Sequence, residues 1–76
     1  MRNLRLKGRW IAMLKIEIKT GGAAFMNEDE EFDTYYGGSE IKRILNKVSD
    51  DIQNGYERGS VNDINGNKVC TWTLEN

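Results

Sequence analysis

At 76 residues the chain has room for one domain with a small core, because short chains bury a smaller fraction of their surface than long ones. Charged residues of both signs make up 30% of it and the aliphatic residues are clustered, which excludes a disordered composition. Cys70 is the single cysteine and there is no histidine, so an intrachain disulfide, a Cys/His metal cluster and a histidine general base are all excluded.

No apolar run approaches the roughly 20 residues that span a bilayer. The first residues lack the apolar core and small-residue cleavage site of a signal peptide. A reducing, cytoplasmic setting is the expectation for a lone thiol.

The formal charge of −1 hides an asymmetry. Arg2, Arg5, Lys7 and Arg9 fall in residues 1–12 without an acid, leaving seven basic against twelve acidic residues in 13–76, a net of −5. The stretch Lys7-Gly8-Arg9-Trp10 is what a purine-rich ribosome-binding site would encode if translated in frame. Met13 is therefore a candidate natural start, with 1–12 a non-native or flexible basic extension and 13–76 a single α+β domain. The alternative is a genuine basic arm that touches nucleic acid or extends the first strand.

Leu14, Ile16 and Ile18 alternate with Lys15, Glu17 and Lys19. A period of two marks a strand with one buried face, expected over about residues 13–20 and ended by Gly21-Gly22. Residues 21–38 then read as a long connection in which Ala23, Ala24 and Phe25 pack back on the sheet. It carries an acidic run, Glu28, Asp29, Glu30, Glu31 and Asp33, among the aromatics Phe32, Tyr35 and Tyr36.

Ser39 has the chemistry of a helix N-cap, and Glu40 suits the positive end of a helix. Ile41, Ile44, Leu45, Val48 and Ile52 recur at spacings of three and four, which predicts a helix over 40–53 with one apolar stripe. Asn54-Gly55 supplies its stop. Asn65-Gly66 suits a two-residue type I′ turn, in which both residues take positive φ. That choice pairs Ile64 with Asn67, Asp63 with Lys68, Asn62 with Val69 and Val61 with Cys70, in strands at about 60–64 and 67–74. Val61, Cys70, Trp72 and Leu74 then share the face the helix covers.

The expected architecture is α+β: a three-stranded antiparallel sheet of order β-α-β-β with one helix packed on one face. The first strand beside the last makes every pair antiparallel; beside the second it would be parallel, and the antiparallel order is favoured. Two edges stay open, and a homodimer through the first strand or the first hairpin strand is expected.

No catalytic constellation emerges. The acids are consecutive rather than convergent, and their simplest reading is a solvated loop. Asp63, Asn65 and Asn67 alternate as calcium ligands do, but Lys68 and Leu74 stand where a calcium loop needs glycine and glutamate. Gly21-Gly22 and Gly37-Gly38 match no phosphate-loop pattern, although Gly37-Gly38 precedes the expected helix start, where an anion could sit. Lys42, Arg43 and Lys47 give the helix a basic flank that could meet nucleic acid, diluted by Glu40, Asp50 and Asp51. The expectation is a non-enzyme with no cofactor and no metal. Its candidate protein-binding residues are Glu28, Asp29, Glu30, Glu31, Phe32, Asp33, Tyr35 and Tyr36, since aromatics are enriched at interfaces.

The runs Lys15-Ile16-Glu17-Ile18-Lys19-Thr20, Ala23-Ala24-Phe25, Glu40-Ile41-Lys42-Arg43-Ile44-Leu45 and Asp63-Ile64-Asn65-Gly66-Asn67-Lys68-Val69 resemble a group of small bacteriophage and prophage proteins. In that group a KIxIKT…AAF start precedes an E-x-ARIL helix and a D-x-NGN-x-V hairpin. Ile41-Lys42 departs from its usual Val-Ala, and the acidic segment is longer here. The resemblance covers 13–75, rests on structural motifs and carries over no catalytic residue. It implies a mobile-element origin, residence in the bacterial host cytoplasm and a start at Met13. The expected role is an accessory protein that binds and inhibits a host protein of bacterial defence, in the manner of anti-CRISPR-like or other anti-defence proteins. A nucleotide-binding oligomer that sequesters a signal and a DNA- or RNA-binding regulator are the alternatives.

Overall fold

The computed structural model describes residues 4–6 and 8–76; Arg2 and Lys7 of the basic stretch lie outside them. The chain runs β1 (Leu4–Leu6), β2 (Arg9–Ile11), β3 (Met13–Ile18), a 3-10 turn (Ala23–Phe25), α1 (Thr34–Gln53), β4 (Arg58–Asn62) and β5 (Lys68–Glu75). β3, β5 and β4 form a three-stranded antiparallel sheet with β5 in the centre, and α1 packs against it. This is the α+β arrangement and the strand order that the alternation and the hairpin predict. β1 and β2 form a separate antiparallel pair. It is tied to the sheet by the Ala12 N–H on the Glu75 carbonyl and by an Arg9–Glu57 ion pair.

β3 is shorter than expected, ending at Ile18, although the Lys19 N–H still donates to the Val69 carbonyl. Its register sets Leu14, Ile16 and Ile18 opposite Leu74, Trp72 and Cys70. The helix-side face therefore collects the apolar rows of both strands, while Lys15, Glu17, Thr71 and Thr73 alternate to the open face. The core is Phe25, Ile44, Val48, Val61, Cys70 and Trp72, with Ile16, Ile18, Ala24, Ile41, Ile52, Val69 and Leu74 against it. Phe25 is fully buried, so Ala23–Phe25 does fold back over the sheet. Burial pushes the Cys70 thiol above its ordinary value.

The largest departure is the start of the helix. α1 begins at Thr34, not Glu40, and its N-cap is Asp33, not Ser39. The Asp33 carboxylate accepts from the N–H groups of Tyr35 at 2.9 Å and Tyr36 at 2.7 Å. Gly37 and Gly38 lie inside the helix rather than before it. Gly37 is buried, and a Cβ there would come within 2.7 Å of the Phe32 ring and 3.1 Å of the Phe25 carbonyl. Close packing therefore holds a helix turn that two glycines weaken by intrinsic propensity. The helix ends as expected. Gly55 has φ +96°, its N–H donates to Ile52 O, and Tyr56 N–H donates to Asp51 O, a Schellman closure.

The hairpin turn also differs. Val61 does face Cys70, but Asn62 faces Lys68, so Val69 is an extra residue on β5. Gly66 takes φ +87° while Asn65 does not enter positive φ, which rules out type I′. The loop has three residues, Ile64, Asn65 and Gly66, closed by Asp63 N–H on Asn67 O and Gly66 N–H on Asp63 O. Asp63 is not paired with Lys68. It is buried, and its Oδ1 accepts from the N–H groups of Asn65 and Asn67 at 2.9 and 2.8 Å.

Candidate functional site

The segment expected to be a long loop is a second turn built on the same plan. Asn27 N–H donates to Glu31 O and Glu30 N–H donates to Asn27 O, while Asn27 Oδ1 accepts from Asp29 and Glu31 N–H at 2.9 and 3.0 Å. Met26 and Phe32 bridge the base, as Asn62 and Lys68 do in the hairpin. The left-handed position falls on Glu30, φ 61°, where the hairpin has Gly66. A non-glycine residue is disfavoured there by contact of its Cβ with the backbone. Glu30→Gly is accordingly expected to raise stability by about 0.5–1 kcal/mol. Urea unfolding against a Glu30→Gln control, which removes the charge alone, reads the difference.

This turn presents Glu28, Asp29, Glu30 and Glu31 to solvent on a defined backbone. Tyr35 and Tyr36 follow on the first turn of α1, 74% and 65% exposed, with their rings edge to face at 5.1 Å. They are helix residues, not loop residues; the contact that holds the segment is the Phe32 ring against Gly37 of α1. Asp33 spends its carboxylate on the helix cap. The eight candidate residues thus lie together at one end of the molecule, divided into a scaffold, Phe32 and Asp33, and a display of four acids and two tyrosines.

The Asp33 carboxylate also occupies the helix N-terminus, so Gly37-Gly38 forms no anion seat.

Tyr36 lines an open depression together with Ala23, Ala24, Met26, Glu40, Arg43 and Ile64. Ile64 tops the hairpin turn and is 75% exposed. Sequence reasoning placed it inside a strand. The signal it missed is an isoleucine inside a polar turn sequence, where no core is within reach.

Glu40 was also missed. It lies past the first helical turn, is buried, and accepts from Arg43 Nε at 2.6 Å and from the Ile64 N–H at 2.7 Å. Arg43 Nη2 donates to the Asn62 carbonyl at 2.8 Å. The Arg43 hydrogen bond holds the Glu40 carboxyl below its ordinary value against the opposing effect of burial, helped by the Ile64 N–H. Glu40 in turn raises the Arg43 guanidinium. Together they fasten α1 to the hairpin.

On the basic flank, then, Arg43 is engaged in this latch and Lys47 is paired with Asp51 at 2.9 Å, which raises its pKa. Lys42, Arg43 and Lys47 are all exposed. Among the described residues no group of three or more acidic or thiol side chains is placed to hold a metal, and no helix is long and apolar enough to cross a membrane. No protein-family model, curated protein or solved structure matches the chain.

Proposed function

We propose that this is a small phage-encoded accessory protein that binds and inhibits a host protein of bacterial defence through its acidic–aromatic end. The observation that carries the reading is the Asn27-closed turn, which holds Glu28, Asp29, Glu30 and Glu31 outward beside exposed Tyr35, Tyr36 and Ile64. A turn already ordered by its own hydrogen bonds loses little freedom on binding. Tyrosines supply contact area at low entropic cost, and a row of carboxylates steers a basic surface into register. The partner it suits is therefore a protein with a lysine- and arginine-rich face, such as one that itself holds nucleic acid. The resemblance of 13–75 to small phage proteins supports the origin.

The test is capture of host proteins by the tagged full chain, compared with a variant carrying Glu28→Gln, Asp29→Asn, Glu30→Gln and Glu31→Gln. Asp33 is left in place because it caps α1. The variant should fold with unchanged circular dichroism and lose affinity for the captured partner by about tenfold or more, with the wild-type affinity falling steeply as salt rises. Equal capture by the two chains would refute the assignment.

A further inference from the structure

We propose that the chain forms a two-fold dimer by antiparallel pairing of β3 with β3 of a second copy, centred on Ile16. Among the described residues β3 pairs only with β5, which leaves the other side of the strand as an edge. The Lys19 N–H on Val69 O sets the parity of that pairing. Odd-numbered residues of β3 bond to β5, and Leu14, Ile16 and Ile18 direct their N–H and C=O groups outward. A two-fold axis at Ile16 makes Ile16 face its own copy and Leu14 face Ile18 of the other chain. Every free main-chain group of these three residues then finds a partner.

The same register is electrically self-complementary. Lys15 and Glu17 flank Ile16 on the open face of the sheet, and both are exposed. Around that axis each Lys15 lies opposite a Glu17 of the other copy, twice by symmetry. An axis at Lys15 or at Glu17 would instead set like charges face to face.

Apolar surface on the helix side points the same way. Arg43 bonds to Asn62, and Asn46, Lys47 and Asp50 line a depression with Ser60 and Val61, so this flank of α1 lies over β4. At helical spacing Ile41, Leu45 and Ile52 fall on the opposite flank, toward β3. Leu14 is left 43% exposed and Leu45 39%. A second copy brings its own helix to the same side of a continuous sheet and covers this strip. The β4 edge is less suited, because Arg43 already takes the Asn62 carbonyl.

Sedimentation of the full chain tests the proposal. The wild type is expected to be dimeric, Lys15→Glu and Glu17→Lys should each weaken the dimer by about tenfold or more, and the double exchange should restore it. Circular dichroism should be unchanged in all three, since neither side chain touches the core. A wild type still monomeric at about 100 µM, or single variants that dimerise as tightly as wild type, would overturn it. The acidic end takes no part in this interface, so a failed dimer leaves the host-binding reading standing, and the reverse holds too.

Discussion

Trp72→Ala is expected to cost about 3–5 kcal/mol, the range for removing a large buried aromatic. A chain of this length has roughly 4–11 kcal/mol of total stability, so the loss takes from about a quarter of it to all of it. Trp72 is 3% exposed at the centre of β5 and faces Ile16 on one side and Gly59 on the other. Its ring lies over Gly59: a Cβ at that position would sit 2.8 Å from Nε1 and 3.1 Å from Cε2. The glycine is therefore the floor on which the indole rests. Gly59→Val should cost about 1–3 kcal/mol by pushing a boxed-in ring off its rotamer. Trp72→Phe should cost less than Trp72→Ala, because it keeps a ring in the site and removes a buried indole N–H that has no hydrogen-bond partner among the described residues. Urea titration followed by circular dichroism measures all three. Fluorescence separates the two tryptophans, since Trp10 is 55% exposed and should emit at longer wavelength than Trp72.

The second large effect is at Glu40. Glu40→Ala strands the Ile64 N–H and removes the main internal partner of Arg43. Each lost bond at a buried site costs on the order of 1–3 kcal/mol, and Arg43, nearly half exposed, recovers part of its share from water. A loss of about 2 kcal/mol is expected. Because the folded-state pKa of Glu40 is depressed, its stabilisation is fully present above the unfolded carboxyl value of about 4.3 and is lost as pH falls through the folded value. Glu40→Gln retains an oxygen acceptor for Ile64, so it should cost less at neutral pH and flatten the acid side of the stability profile. Wild-type and Gln profiles that stay parallel below pH 5 would show that the carboxylate's charge contributes nothing.

Much of the fold was legible in the residues. The alternation Leu14, Ile16, Ile18 identified a strand buried on one face, and the Ile41-to-Ile52 spacing identified the covering helix. The two-residue turn expected at Asn65-Gly66 placed Val61 against Cys70, and that pairing holds because the extra residue Val69 offsets the loop's third residue. The acidic and aromatic residues of the candidate site were also visible, as a run. What was not visible was how they divide. Asp33 and Ser39 are both good caps by chemistry, and two glycines between them argue for the later one; only the Phe32 ring against Gly37 shows why the helix starts earlier. Arg43 reads as a surface cation beside Lys42 and Lys47, and nothing local says that a buried Glu40 and the Asn62 carbonyl will claim it.

The chain's own pattern therefore determined the elements and the faces they bury, because periodicity and turn-forming residues act over a few positions. Tertiary structure decided the helix start, the three-residue hairpin loop, the bonding of Arg43 to Glu40 and Asn62 and the repeated turn that displays the four acids. Each of these depends on a contact between segments distant in sequence, or on a choice among local conformations of similar energy that packing resolves. Local propensity differs by about a kilocalorie between such alternatives, and a buried ring or a satisfied carboxylate outweighs it.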